Sequence, residues 1–267
     1  MPNKSIQSLK YIFLRHLFRR EFLIASENIF GTRFKFKTED VIGRHIYKYG
    51  EYENEISQYI LNHVDINDGI CLDNGANIGW YSLLLQKASQ GSSEIYAFEP
   101  DPLNFRLLKN NIEINGADNI HPVNCALSNK KEEKKLYRYS NKNLGRHSLL
   151  EINESDSVDV EALVLDDFIA ESNIDCSKIK FIKIDIEGYE YFALSGALKT
   201  LESVQCIVSE FVPEHMKKGG VDPALLIDIL MGKGFKPNEL ENGTVKPLSR
   251  DELLNSAGLD IIWLKAP

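Results

Sequence analysis

Asp185, Glu187 and Glu190 place three carboxylates within six residues, directly after the apolar run Phe181-Ile-Lys-Ile. In extended chain residues two apart share a face, so Asp185 and Glu187 point the same way. Carboxylates so grouped can take a proton from a reacting hydroxyl or hold a cationic group. The plainer reading is that they are acids in a first helical turn, where the macrodipole favours negative charge. Glu210, near the end of Val208-Ser-Glu-Phe, joins this acidic rim if its strand lies alongside. His147 and His215 are further proton acceptors by type, because imidazole titrates near neutrality. A lone loop histidine is also at home as a solvated surface group. The candidates for a base, in order, are Asp185, Glu187, Glu210, His147 and His215. A divalent metal on the same acids could lower the pKa of a hydroxyl instead; no metal is assigned.

A second constellation suits a nucleoside. In Asp73-Asn-Gly-Ala-Asn-Ile-Gly-Trp-Tyr-Ser82, Gly75 permits a tight turn with positive φ, and Gly79 lets backbone or ligand approach a helix start. Free N–H groups there favour an anion, either a pyrophosphate or an amino-acid carboxylate. Glu99 follows 26 residues after Asp73, within Phe98-Glu-Pro-Asp-Pro102, where an acid can accept from ribose hydroxyls. Asp101 fits better as the cap of the following helix. Asn124, in Asn124-Cys-Ala-Leu-Ser128, could reach a purine ring. These features separate poorly between NAD and S-adenosylmethionine (SAM), although the absence of Gly-x-Gly-x-x-Gly tilts against a dinucleotide.

The elements that must carry these residues follow from periodicity. Ser5 to about Asn28 recurs apolar at helical spacing, with Lys10, Arg15, Arg19 and Arg20 between. Arg33 to Lys37 alternates like a half-buried strand, and Val41 to Tyr49 is expected to be its hairpin partner. Glu51 to Val64 is helical. From Gly69 onwards short apolar strands alternate with helices of 10–15 residues, a pattern that implies parallel βαβ crossovers in a doubly wound sheet. Residues 127–164 break the rhythm, and Phe235 onwards with Leu259 to Leu264 forms a closing pair that an antiparallel ending would explain. The domain reading is an extension over residues 1–50 and one α/β domain over 51–267. Ligands in such sheets sit outside the carboxyl ends of the strands.

The four motifs, ending with Ile182-Lys-Ile-Asp-Ile-Glu-Gly-Tyr-Glu190, occur in order and at fitting separations between about Gly50 and Phe211. Together they resemble the FkbM family of SAM-dependent methyltransferases. The resemblance implies a class I methyltransferase (Rossmann-like) fold, mostly parallel with an antiparallel carboxyl-terminal hairpin, and O-methylation of a sugar, glycolipid or polyketide-type alcohol. It also implies that Asp73, Asn74, Gly75, Ala76, Asn77 and Gly79 cradle the methionine end of SAM. Glu99 and Pro100 would lie at the ribose, Asn124 and Ala126 at the adenine, and Asp185 with Glu187 at the methyl-transfer edge. The rival readings are an NAD-dependent oxidoreductase or epimerase and a SAM-binding partner protein without activity. The first needs a Tyr-x-x-x-Lys pair or similar, and none stands out; the second would have lost the acidic rim.

Bulk properties limit the partners. The apolar share of 43 % and the charged share of 26 % are ordinary for a globular chain. The net charge of −8 argues against nucleic acid as a partner. It is unevenly spread: residues 1–37 hold eight Lys/Arg against two Glu, a net +6, leaving 23 basic against 37 acidic residues, a net −14. The basic amino-terminal helix is expected either to cover the sheet edge or active site, or pair two copies, or to contact the inner face of a membrane from the cytoplasm. No signal sequence or membrane-spanning run is legible. Cys71, Cys125, Cys176 and Cys206 lack Cys-x-x-Cys spacing and read as reduced core thiols.

Overall fold

A computed structural model describes residues 4–26, 28–140, 143–150 and 156–265. Its strands, in chain order, are β1 (Phe22–Ala25), β2 (Phe34–Lys37), β3 (Ile70–Asn74), β4 (Glu94–Phe98), β5 (Ile120–Val123), β6 (Ala126–Ser128) and β7 (Glu132–Ser140). They continue as β8 (Asn143–Ser148), β9 (Ser157–Val164), β10 (Ile179–Ile184), β11 (Cys206–Phe211), β12 (Phe235–Glu241), β13 (Thr244–Pro247) and β14 (Leu259–Lys265). The helices that position the site are α1 (Lys4–Ile12), α2 (Val41–Tyr49), α3 (Asn54–His63), α4 (Trp80–Ala88), α5 (Pro102–Asn115), α6 (Leu165–Glu171) and α7 (Glu190–Ser195).

The main sheet has the order β13-β12-β14-β11-β10-β3-β4-β5. Neighbours from β5 to β11 run parallel, and β14, β12 and β13 pair antiparallel. The chain steps outward one way through β3, β4 and β5 and the other way through β10 and β11. The switch point therefore lies between β3 and β10, where the fold leaves a crevice above the carboxyl ends. Strands β3 and β10 are buried almost throughout, as sheets covered on both faces require. One apolar layer joins α4 and α5 to the amino-terminal elements around Trp80, whose ring lies 4.7 Å from Phe30 and 5.4 Å from Phe34. The other packs α6, α7 and the helix Pro223–Gly232 on the opposite face. All four cysteines are free, and three are buried.

Two expectations fail in the amino-terminal part. Val41–Tyr49 is a helix, not a strand. The Asp40 side chain accepts from the Gly43 N–H at 2.7 Å, and Gly50 closes the other end at φ +73°. Capped at both ends, the segment gains helical hydrogen bonds that alternation alone does not reveal. The partner of β2 is instead β1, in the register Leu23↔Phe36, from within the stretch expected to continue the first helix. That helix ends at Ile12 and passes through one π-helical stretch, Phe13–Leu17. Burying Leu23 and Ala25 beside Phe34 and Phe36 serves the apolar layer better than a longer exposed helix.

The irregular stretch 127–164 contributes a second sheet of order β6-β9-β7-β8. Arg138 on β7 donates from Nε to Asp101 at 2.7 Å, and Ser148 on β8 donates to the Glu187 carbonyl at 2.9 Å. These bonds lay the second sheet over the carboxyl edge of the first.

Candidate active site

The crevice divides into two chambers. The first is lined by Asn74, Glu99, Pro100, Cys125, Ala126 and Leu127 from the main sheet's edge, and by Leu136, His147 and Leu149 from the second sheet. The second, of about 240 Å³, is lined by Val41, Ile42, Tyr52 and Glu53 from the amino-terminal elements, with Asp73, Lys183, Glu187 and Glu210. Gly75, Asn77 and Asp185 border both and mark the passage between them.

Gly75 makes this passage. It sits at φ +84°, and a Cβ there would lie 2.1 Å from the Asp185 carbonyl oxygen, so the turn after β3 presses directly on the end of β10. Four N–H groups of this turn are engaged within the protein. Those of Gly75 and Ala76 both donate to the Phe98 carbonyl at 3.0 Å, Asn77 donates to Glu99 Oε2 at 2.8 Å, and Gly79 to Ala76 at 2.8 Å. These four N–H groups are therefore not free to cradle an anion, and that of Asn77 holds Glu99 instead. Asp73 is also turned inward: it is 1 % exposed, accepts the Ser82 hydroxyl at 2.5 Å, and is pushed up by burial to about 6. Gly79 sits at φ +92° under Leu108 and lines neither chamber.

Glu99 faces the first chamber with Oε1 accepting the Asp101 N–H and Oε2 the Asn77 N–H, each at 2.8 Å. Burial pushes its carboxyl up to about 8, against the lowering effect of those bonds. Asn124 does not line the chamber. Its amide donates to the carbonyls of Glu99 at 2.8 Å and Pro100 at 3.1 Å, so it fixes the backbone that carries Glu99. The neighbouring Cys125, Ala126 and Leu127 form the apolar wall. Asn74 is 1 % exposed, and neither atom of its amide has a hydrogen-bond partner among the described residues. A buried orphan amide, an inward carboxylate and an apolar wall together fit a nucleoside, which offers ring donors and acceptors, ribose hydroxyls and a flat apolar face.

The acids are gathered by β10 and β11, which run parallel in register Ile184↔Ser209. Glu187 and Gly188 take left-handed conformations at φ +53° and +95°, turning the chain back over the strand ends. Glu190, the third carboxylate, does not join the rim: it is 1 % exposed and accepts the N–H groups of Ile186 at 3.1 Å and Gly188 at 3.2 Å. It holds the loop that presents Asp185 and Glu187. Donor atoms of Glu187, Glu210 and His215 all lie within 4.8 Å of one another, close enough to share a cation. Burial, then the negative charges of Asp185, Glu187 and Glu190, push Glu210 up to about 9. A carboxyl raised in this way favours its protonated form near neutrality, which makes Glu210 a weaker candidate for the base than Asp185 or Glu187. His147 is brought to the first chamber, away from the acidic rim; burial lowers its pKa, and neither ring nitrogen has a hydrogen-bond partner among the described residues.

Lys183 carries chemistry that the strand pattern hid. Its side chain is 1 % exposed, with the ammonium 3.5 Å from Asp185 and 4.8 Å from the centre of the Tyr81 ring, and it makes no hydrogen bond among the described residues. Burial alone would lower its pKa, but Asp185, Glu53, Asp260 and Asp73 more than reverse that. The legible signal was a lysine inside an otherwise apolar buried strand. Glu53, which accepts from the Tyr81 hydroxyl, and Asp260, pushed up by burial to about 6, come from remote segments.

Comparison with known proteins finds one matching family model and several similar methyltransferases. The family described as Methyltransferase FkbM domain matches residues 73–237. Methyltransferase sdnD of Sordaria araneosa is 28 % identical over 192 residues, covering 61 % of this chain and 72 % of that protein. Hexuronic acid methyltransferase AglP of Haloferax volcanii is 23 % identical over 172 residues, covering 64 % of each. Among solved structures, Methyltransferase FkbM from Methylobacillus flagellatus aligns with a TM-score of 0.48 at 16 % identity, over 82 % of this chain and 52 % of that one. The chain thus spans less than two thirds of the last two.

Proposed function

The chain belongs to the FkbM family of SAM-dependent methyltransferases, and from that premise we propose that it methylates a hydroxyl oxygen on a sugar, glycolipid or polyketide-type acceptor. SAM, when bound, supplies an activated methyl on a sulfonium. Glu99, Asn74 and the Cys125–Leu127 wall would hold its nucleoside end, and the passage at Gly75, Asn77 and Asp185 would lead its methionine end into the second chamber. With the N–H groups of Gly75, Ala76, Asn77 and Gly79 engaged, Lys183, beside Asp185, is a buried cation that would meet a carboxylate there.

The observation that carries the reading is the meeting of Asp185, Glu187 and Glu210 in one chamber beside that passage. An aliphatic alcohol holds its proton far above neutrality, so transfer to oxygen needs a group to receive it, worth roughly 10²–10⁴-fold in rate. Asp185, bordering both chambers, is best placed to receive it. Glu187 is the next candidate, and protonated Glu210 can donate a hydrogen bond to the acceptor. The excess of carboxylates over the single lysine in the chamber also favours a neutral, hydroxyl-rich acceptor over a free carboxylate.

Incubation with SAM and a panel of hydroxylated acceptors, read by mass spectrometry and NMR, should yield a methyl ether. Products methylated only on nitrogen or carboxylate would overturn the reading. Asp185→Asn should lower kcat about 10²–10⁴-fold; an unchanged rate would take the base role from Asp185. Turnover should persist in chelator. Loss of activity restored by a divalent cation would instead assign Glu187, Glu210 and His215 to a metal.

A further inference from the structure

We infer that the amino-terminal helix and its π-helical extension dock this protein on an anionic membrane surface, bringing the second chamber to lipid-linked acceptors. The acceptor part rests on the O-methylation reading; the docking does not.

The helix is oriented against the usual sense. α1 buries Gln7 and Tyr11. It leaves Ile6, Leu9 and Ile12 between 51 and 69 % exposed, and Phe13, Leu17 and Phe18 follow at 53 to 64 %. A globular surface helix turns its apolar stripe inward; six large apolar side chains within 13 residues are here turned out. The arrangement is held in place rather than frayed. The Tyr11 hydroxyl donates to the Thr38 carbonyl, the Lys4 ammonium lies 4.6 Å above the Tyr49 ring, and that of Lys48 lies 5.2 Å above Tyr11.

Charge identifies the occupant. Lys4, Lys10, Arg19 and Arg20 are exposed along the same segment, within the stretch that carries a net +6 on an otherwise acidic body. Apolar and basic groups on one short helix and the residues just after it suit an interface where acyl chains meet anionic headgroups. A two-fold contact between copies through this face would set the same positive charge against itself. Among the described residues no helix is long and apolar enough to cross a membrane, so the contact would be superficial. The face also leads to the site. Arg15 approaches Glu39 at 3.8 Å, two residues before Val41, which is 41 % exposed and lines the second chamber with Ile42.

Flotation of the full chain with vesicles of phosphatidylcholine, alone or mixed with phosphatidylglycerol, tests the docking. The wild type should float with mixed vesicles and be released by high salt. Lys10→Gln/Arg19→Gln/Arg20→Gln should weaken partitioning on the order of a hundredfold, about fivefold per charge. Leu9→Gln/Phe13→Gln/Leu17→Gln should weaken it about tenfold or more. Both variants should keep the wild-type melting temperature and SAM affinity, because the altered side chains face solvent. Failure of the wild type to float with mixed vesicles, or equal recovery of all three proteins, would overturn the inference. So would a wild-type dimer in light scattering that the apolar variant dissociates, without any flotation. Methylation of a soluble acceptor reports on the chemistry separately, so loss of one reading leaves the other standing.

Discussion

Glu99 is held ready for a ligand at the expense of its own charge. Its two oxygens take N–H groups from the turn after β3 and from the start of α5, yet burial pushes the free carboxyl up to about 8. Ribose hydroxyls that donate to it favour the ionised form, so binding and proton release are linked. Affinity for 5′-methylthioadenosine, which has the ribose but no amino-acid group, should therefore rise from pH 6 to 8 and level off by pH 9. Glu99→Gln should weaken binding roughly 10- to 100-fold at pH 9, the worth of hydrogen bonds to a charged group, and flatten the profile. Calorimetry across that range checks both; an affinity that falls towards pH 8 would contradict the assignment. Asn124 and Glu190 show the complementary case, polar residues beside the site that hold its backbone.

At the scale of elements, the turn after β3 and the loop after β10 are built against each other. Gly75→Ala would force a Cβ to within 2.1 Å of the Asp185 carbonyl at a left-handed backbone position. Gly116 offers a control: it is also left-handed, at φ +59°, but closes α5 with nothing within 4 Å of a Cβ. Gly116→Ala should cost about 1 kcal/mol of stability by denaturant titration. Gly75→Ala should cost more than about 2 kcal/mol and weaken SAM binding as well, since the passage must shift. Equal effects would show that the contact with β10 does not matter. The second sheet is the other element of consequence. Its Leu136, His147 and Leu149 roof the nucleoside chamber, while the second chamber draws instead on α2 and the approach to α3.

For the molecule as a whole, gathering acids at one sheet edge sets its response to pH. Glu190 is pushed up to about 7, Glu99 to about 8 and Glu210 to about 9, burial leading in each case. In the unfolded chain these groups ionise near their ordinary values, so between pH 5 and 9 the native state binds more protons. Stability from raised carboxyl groups is complete below their unfolded values and is lost as pH rises through the native ones. The histidines with lowered values, His45 and His147, oppose this only in more acid solution. The melting temperature of the ligand-free protein should fall from pH 7 to 9 at constant ionic strength, and Glu210→Gln should reduce that slope. A melting temperature that climbs over this window would rule out the protonated cluster.

Chain order and strand-end chemistry were readable without coordinates. Alternating short apolar strands and helices predicted the parallel sheet, and the ends of successive strands held Asp73, Glu99 and Asp185, because a doubly wound sheet exposes those ends on one side. Local chemistry at the amino terminus was misread where capping outweighed alternation, as at Asp40 and Gly50. Roles were decided only in three dimensions. Whether an N–H is free, whether a carboxyl is ionised and whether a lysine is buried depend on neighbours far apart in the chain. Lys183 feels the charges of Glu53 and Asp260 across 130 and 77 positions, His147 is carried to the nucleoside side by the second sheet, and Glu210 is raised by burial and by acids that follow β10. The motifs mark where chemistry can occur; burial and the fields of distant charges determine which residue performs it.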